Sequence, residues 1–350
     1  MTSTADTTQL VVVVENRLRE VAQTVRRSML DAMPDGEPVR WLYGPMREYP
    51  SRPGKALRPA LCLSAGRAFG GHADDLLGIA VAIELLHNAF LVHDDIADGS
   101  QLRRGRPTLA ATHGVAAALN AGDGLAVVAN QVLRRATRRL DPDLAELVLA
   151  EFDTMAMRTL EGQATEAGWR FDEVESLGPE DYLALIMHKT CWYTTIHPLR
   201  VGALVGSGGT ADLSALVRFG FHLGAAFQIR DDLLNLVGDA HLYGKEILGD
   251  LYEGKRTLAL MHLMEAAQGA DRALLGDYLR RNRSERSEEL VGSIRAMMDD
   301  YGSIAFTREY AEGILLMAEE YFEQAFAQAQ PGSDIDFLRA LVPYVWARWR

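Results

Sequence analysis

Residues 76–98 read LLGIAVAIELLHNAFLVHDDIAD. The spacing predicts a long helix over 73–97 that delivers Asp94, Asp95 and Asp98 near its C-terminal end. A second stretch, FQIRDDLLN at 227–235, repeats the device with Asp231, Asp232 and Asn235. On a helix the i and i+4 side chains share one face, one turn apart. Both clusters sit inside apolar sequence. Buried carboxylates repel each other and lose hydration, so they need compensating cations. Hard oxygen ligands suit Mg²⁺, which is usually shared between a few carboxylates and a substrate phosphate. Two such clusters facing one another would cage a diphosphate through several Mg²⁺ ions. Solvated acidic helix ends are the competing explanation. They suit one such motif better than two, each in apolar context and each followed by a basic or Lys/Gly loop. Neither cluster has the alternating order of an EF-hand calcium loop.

Outward from these clusters the sequence reads as helix nearly throughout. Residues 9–33 carry apolar positions at helical spacing, and 36–59 are loop-rich, with prolines at 38, 45, 50, 53 and 59. Further helices are expected at about 109–138, 142–168, 179–206, 211–236, 257–282, 286–300, 304–329 and 334–349. Breaks are expected at Ser207-Gly208-Gly209 and Pro331-Gly332-Ser333. There is no convincing β-alternation, short-period repeat or low-complexity linker. The expectation is one all-α domain over 9–350, a helical bundle with a central cavity, behind a disordered N-terminus at 1–8.

The bulk numbers narrow the function classes. The chain has 350 residues, 48% of them hydrophobic, ample for a core. A net charge of −12 argues against a general nucleic-acid binder. The two cysteines, Cys62 and Cys191, both lie in apolar surroundings, which suits a reducing, cytoplasmic compartment. The N-terminus lacks the basic region of a signal peptide, and no uncharged apolar stretch of about 18 residues occurs, so no membrane span is expected.

The bases complete the pattern. Gly54-Lys55-Ala56-Leu57-Arg58-Pro59 puts Lys55 and Arg58 three apart. Arg103 and Arg104 follow Asp94 by nine and ten residues, Lys189 lies mid-helix between apolar residues, and Lys245 and Lys255 flank Gly249-Asp250. Each alone reads as a surface base. Together they supply cations for two diphosphates, one held through Mg²⁺ and one held directly. Arg offers forked hydrogen bonds to phosphate and Lys a point charge. His87, two turns before Asp94, is either a hydrogen-bonded core residue or a donor to the second diphosphate. Gln228 shares a face with Asp231, where helix–helix hydrogen bonding is the plain alternative to a role in the site.

These residues carry a resemblance. The chain is similar to the trans-prenyltransferases of the polyprenyl synthetase family, the head-to-tail isoprenyl diphosphate synthases. The matching segments are GKALRP (54–59), LLHNAFLVHDDIADGSQLRRGRPT (85–108), NAGDGL (120–125), EGQ (161–163), KT (189–190), FQIRDDLLN (227–235) and GKEILGDLYEGKRTL (244–258), in family order. The resemblance implies an all-α isoprenoid-synthase fold, usually a homodimer. It implies an allylic diphosphate bound through Mg²⁺ to Asp94, Asp98 and Asp231, with Asp95 and Asp232 supporting and Asp95 counted among the metal ligands. By the same carry-over, Arg103, Lys189, Thr190, Gln228, Asn235, Lys245 and Lys255 belong to the allylic site, and Lys55, Arg58, His87 and Arg104 match the isopentenyl diphosphate site. Lys189, Thr190 and Gln228 join the aspartates in the catalytic set, since the lone pairs of Thr190 and Gln228 can face an allylic cation.

Departures from the family pattern are informative. Asn235 stands where Asp is common, which as a neutral ligand would weaken metal binding. Cys191-Trp192-Tyr193 after Lys189-Thr190 are bulkier than usual and are expected to reshape the cavity wall. Arg348-Trp349-Arg350 resembles basic C-termini that close over diphosphate in some members. In this family the floor of the chain pocket lies one turn before the first aspartate, here Ala89 and Phe90. One helical turn, about 5.4 Å, roughly matches one isoprene unit. Aromatics at both positions accompany a C15 product, so Ala89 with Phe90 points to C20, geranylgeranyl diphosphate. Two other functions share part of this pattern. A class I terpene cyclase would not need the second diphosphate site, and a non-catalytic regulatory subunit typically loses an aspartate motif that this chain keeps.

Overall fold

The computed structural model describes residues 4–238 and 246–347. It is all-α apart from one two-strand hairpin. The described residues form two compact units. One holds the residues up to Ala156, Tyr193–Gly220 and those from Ala318 on; the other holds Met157–Trp192 and the described part of Phe221–Met317. Lys245 and the tail 348–350 lie outside the described residues, as do 1–3 of the stretch expected to be disordered; helix is recorded from Thr4.

The first unit contains helices α1 (Thr4–Asp31), α2 (Gly44–Ser51), α3 (Leu57–Ala68), α4 (Ala73–Ala97), α5 (Leu109–His113) and α6 (Val115–Thr137), then the start of α7 (Pro142–Phe171). It also takes in α9 (His197–Gly206), the start of α10 (Leu213–Val237) and the C-terminal helix Ser333–Ala347. Its axis is α4, packed against α3 and α6. Ile79, Val81, Ile83, Leu85 and Val92 are buried on all sides of it. A helix that is apolar all round belongs in a core. By length and composition α4 would pass for a membrane span, but most of it is buried in the fold.

Small residues let the neighbours of α4 come close. A Cβ on Gly202 would lie 2.3 Å from the Cys62 carbonyl oxygen, and one on Gly206 would lie 2.1 Å from that of Gly66, so α3 and α9 meet backbone to backbone. Asp334 of the C-terminal helix fixes two more elements. It accepts from Arg17 of α1 at 2.5 Å and in a fork from Arg67 of α3 at 2.9 and 2.6 Å.

The loop-rich reading of 36–59 missed a helix. Residues 44–51 are helical, because Pro45 falls in the first turn, where its missing N–H has no intrahelical partner to lose. The helix expected over 109–138 breaks at Gly114, which sits at φ +83° between α5 and α6. After α4 comes the hairpin β1 (Leu102–Arg103) and β2 (Arg106–Pro107), with Arg104 at φ +55° and Gly105 at φ +71° as its two turn residues. Two successive left-handed residues are the hairpin signature that follows strand twist. Arg104 lacks glycine's freedom there, so the turn carries about 1–2 kcal/mol of strain.

The second unit holds the end of α7, α8 (Pro179–Ile186), the end of α10, and the helices Gly249–Glu253, Leu258–Ala266, Gly269–Arg280 and Glu288–Asp300, with the start of Ser303–Ala325. Its centre is Tyr278, fully buried, whose hydroxyl donates to the Leu251 carbonyl at 2.6 Å. Two buried arginines satisfy further carbonyls at that helix end: Arg286 donates to Tyr252 at 2.8 Å and Arg256 to Gly254 at 2.7 Å. The last carbonyls of a helix have no partner of their own. Gly254 closes the helix in the left-handed region, at φ +70°.

Between α8 and α9 the chain is a π-helix, Met187–Ile196, where one continuous α-helix over 179–206 was expected. Widened turns of this kind are frequent at functional sites. Lys189–Trp192 belong to the second unit, and Tyr193–Ile196 to the first.

Candidate active site

The first acidic cluster ends α4. Asp94 is half-buried, whereas Asp95 and Asp98 are buried, and Asp98 caps the helix with its N–H on the Asp94 carbonyl at 2.8 Å. Asp95 is 1% exposed and faces protein donors. Arg103 donates to its Oδ1 through Nε at 2.8 Å and through Nη2, and the Tyr49 hydroxyl donates to its Oδ2. A carboxylate has about four acceptor positions, so most of Asp95's are taken within the protein. Burial works against the Arg103 charge, and Asp95 overrides it, holding the guanidinium protonated. Burial and the Asp95 charge hold the Tyr49 phenol protonated in turn. Arg52 lies over the Tyr49 ring at 4.4 Å.

The second cluster, inside α10, repeats this plan with different partners. Asp231 is half-buried and Asp232 is buried. The Tyr182 hydroxyl donates to Asp232 Oδ2 at 2.7 Å, and Gln228 Nε2 donates to Oδ1 at 2.6 Å. Thr190 completes the relay, its hydroxyl donating to Gln228 Oε1 at 3.2 Å. Burial, then the Asp250 carboxylate, push Asp232 up to about 8, against the pull of the two hydrogen bonds. Lys189 is paired with Glu166, and Lys255 with Glu253 at 2.6 Å and Asp250 at 3.5 Å. Gly162 explains how Lys189 is placed. A Cβ there would lie 2.2 Å from the Lys189 backbone nitrogen, so only glycine lets α7 run this close to the π-helix.

Asn235 is placed otherwise than a weak metal ligand would be. It is 2% exposed, its Oδ1 accepts the Asp250 N–H at 3.1 Å, and its Nδ2 donates to the Glu246 carbonyl at 3.1 Å. Both ends of the amide brace the segment 246–250. An aspartate could not supply the donor.

The basic set of the first unit gathers around α3 and the hairpin. Arg58 Nη2 donates to Thr194 Oγ1 at 2.7 Å, and its guanidinium lies 4.3 Å over the Tyr193 ring. Burial works against the Arg104 charge, and the carboxylate of Glu84 supports it. Glu84 is 5% exposed; burial pushes its carboxyl up, while Arg58 and Arg104 pull it down. Gly54 gives Arg104 room, since a Cβ there would lie 3.1 Å from the guanidinium. Lys55 is exposed and His87 is buried, its ring 5.7 Å from that of Tyr193. Ala89 is buried, and Phe90, half-buried, meets Tyr193 edge-on at 5.7 Å.

Tyr49, Tyr182, Glu84 and Glu166 were missed by the sequence reading. Glu84 had a signal: it is the lone charge in its apolar run and lies three residues before His87, on the same helix face. The tyrosines had none, being 46 and 50 residues from the aspartates they hold.

The donor chemistry fits a divalent cation. Asp94 and Asp98 in the first unit, and Asp231 in the second, carry the hard carboxylate oxygens that such a cation prefers. Among the described residues no three His, Cys, Asp or Glu side chains gather into a metal cage.

Comparison with known proteins agrees. The polyprenyl synthetase family pattern matches residues 39–297. A short chain isoprenyl diphosphate synthase of Methanothermobacter thermautotrophicus is 33% identical over 270 residues, 77% of this chain and 80% of that one. The crystal structure of geranylgeranyl pyrophosphate synthetase from Pyrococcus horikoshii Ot3 superposes with a TM-score of 0.82 at 30% identity, covering 95% of this chain and 97% of that one. Polyprenyl synthase from Caulobacter crescentus CB15, complexed with calcium and isoprenyl diphosphate, superposes at 0.83 with 25% identity, covering 97% and 98%. The chain belongs to the polyprenyl synthetase family, the trans-isoprenyl diphosphate synthases.

Proposed function

We propose that this prenyltransferase condenses isopentenyl diphosphate with an allylic diphosphate, head to tail, and that its main product is C20 geranylgeranyl diphosphate. One observation carries the reading. In both acidic clusters a buried tyrosine locks the middle aspartate, while the first aspartate stays half-buried. Asp94, Asp98 and Asp231 would hold Mg²⁺, which would supply Lewis-acid stabilisation of the departing diphosphate. Asp95 positions Arg103, and Arg103, Lys189 and Lys255 place positive charge toward the same diphosphate, a set to which the sequence pattern adds Lys245. Lys55, Arg58, His87 and Arg104 take isopentenyl diphosphate. The allylic C–O bond breaks with its electron pair leaving on diphosphate. The oxygens of Thr190 and Gln228 face the resulting cation, and apolar walls keep water from it. The isopentenyl double bond attacks the allylic carbon, and a proton passes to the released diphosphate.

The C20 assignment is supported by Ala89 beside Phe90 and by the Pyrococcus relative's product. A cytoplasmic homodimer is part of the same reading, supported by Val115, Leu119 and Val127, which α6 leaves exposed. The test is a product assay. Isopentenyl diphosphate is supplied with dimethylallyl, geranyl or farnesyl diphosphate and Mg²⁺, and the dephosphorylated products are identified by mass. A C20 alcohol that disappears on chelation is expected. Absence of elongation from every starter overturns the reading.

A further inference from the structure

Tyr193 belongs to the bulky Cys191-Trp192-Tyr193 run, and the mechanism above gives it no role. Yet its ring is the meeting point of two substrate functions. The Arg58 guanidinium lies 4.3 Å over it, the Phe90 ring meets it edge-on at 5.7 Å with planes at 89°, and the His87 ring sits 5.7 Å away. Its neighbour Thr194 accepts from Arg58 at 2.7 Å. Two consecutive residues of the π-helix therefore grip Arg58, one by a ring face and one by a hydroxyl. The Tyr193 hydroxyl itself has no hydrogen-bond partner among the described residues, so the ring is the part that matters.

We propose that Tyr193 is a positioning and specificity residue: its ring fixes Arg58 for the diphosphate of isopentenyl diphosphate and backs Phe90, so one side chain sets both affinity for the second substrate and product length. The inference rests on the reading of Arg58 and Phe90 given under Proposed function. The physics is separable. A cation over an aromatic face is held by the ring's quadrupole, which an aliphatic side chain lacks. An edge-to-face pair restrains the ring it supports. With Ala89 too small to contribute, Phe90 without that support is free to turn aside, and the growing chain gains depth.

The test compares the full-length enzyme with Tyr193→Phe, Tyr193→Leu and Tyr193→Ala, reading KM for isopentenyl diphosphate, kcat and product length. Tyr193→Phe is expected to match the parent. Tyr193→Leu keeps apolar bulk but loses the ring face, so KM should rise about fivefold or more with little change in kcat. Tyr193→Ala should show the same rise and shift products beyond C20. Thermal unfolding establishes that each variant is folded; if Tyr193→Ala does not fold, Tyr193→Leu and Tyr193→Phe still decide the Arg58 part. Lowered stability with parental KM and parental product length overturns the inference. A parent enzyme that elongates no starter overturns the functional reading beneath it, which is a different result from variants that behave like an active parent.

Discussion

Tyr182→Phe isolates the electrostatics of the second acidic cluster, because it removes one hydroxyl and keeps the ring. Tyr182 is 2% exposed and donates to Asp232 at 2.7 Å. Asp232 lies at about 8, well above an ordinary carboxylate, because burial and Asp250 outweigh the hydrogen bonds from Tyr182 and Gln228. A hydrogen bond to a charged group contributes about 1.5–3 kcal/mol. At about 1.4 kcal/mol per pH unit, its loss raises Asp232 further, by roughly one to two pH units. Activity that requires the ionised cluster should therefore move its acid limb in the same direction, to higher pH. Stability follows the opposite rule. A carboxyl raised in the folded state stabilises the fold fully below its unfolded value, about pH 4, and that contribution is lost as pH rises through about 8. The metal-free parent should therefore lose thermal stability from pH 5 to pH 8. The variant should differ from it little at pH 6 and more above pH 8, where the charge appears without its donor. The assays are kcat/KM against pH at saturating Mg²⁺ and thermal unfolding of the metal-free protein. An acid limb that does not move in Tyr182→Phe would show that Asp232 need not ionise, and the argument would fail.

Other perturbations follow from the same geometry. Asn235→Asp should not strengthen metal binding, because the amide braces residues 246–250; loss of the donor to Glu246 should instead lower stability by about 1–3 kcal/mol, read by denaturant unfolding alongside Mg²⁺ titration. Gly162→Ala forces a methyl against the Lys189 backbone and should cost about 1–3 kcal/mol of stability, with a fall in kcat as Lys189 is displaced. Tyr49→Phe leaves Asp95 with Arg103 alone and should weaken the allylic substrate's KM more than that of isopentenyl diphosphate. Ala89→Phe should shorten the product toward C15, measured by mass; an unchanged product removes Ala89 from the pocket floor.

Much of this was legible in the residues. The helical class follows from apolar spacing, and the two aspartate clusters announce themselves because charge in an apolar run demands a partner. Their internal division of labour was not legible. Asp94 and Asp95 are neighbours in sequence, yet one stays half-buried and the other is locked by Tyr49 and Arg103, since successive helical side chains point about 100° apart and only the tertiary fold decides which finds a donor. Asn235 looked like a diminished ligand because its backbone partners at 246 and 250 come from a separate segment. The π-helix over 187–196 has no composition signal, since its extra residue per turn is imposed by packing. The hairpin at 102–107 was missed because two-residue strands are too short to alternate.

The burial of Cys62 and Cys191 has a practical consequence. Both are fully enclosed, and burial pushes the Cys62 thiol up to about 12 and the Cys191 thiol higher still. A thiol that does not ionise near neutrality reacts slowly with maleimides and oxidants. The chain has two cysteines and therefore no reactive background. A cysteine introduced at exposed Phe171 becomes a unique labelling handle. A fluorescent or spin probe at that position would follow the enzyme through turnover without removal of a native thiol.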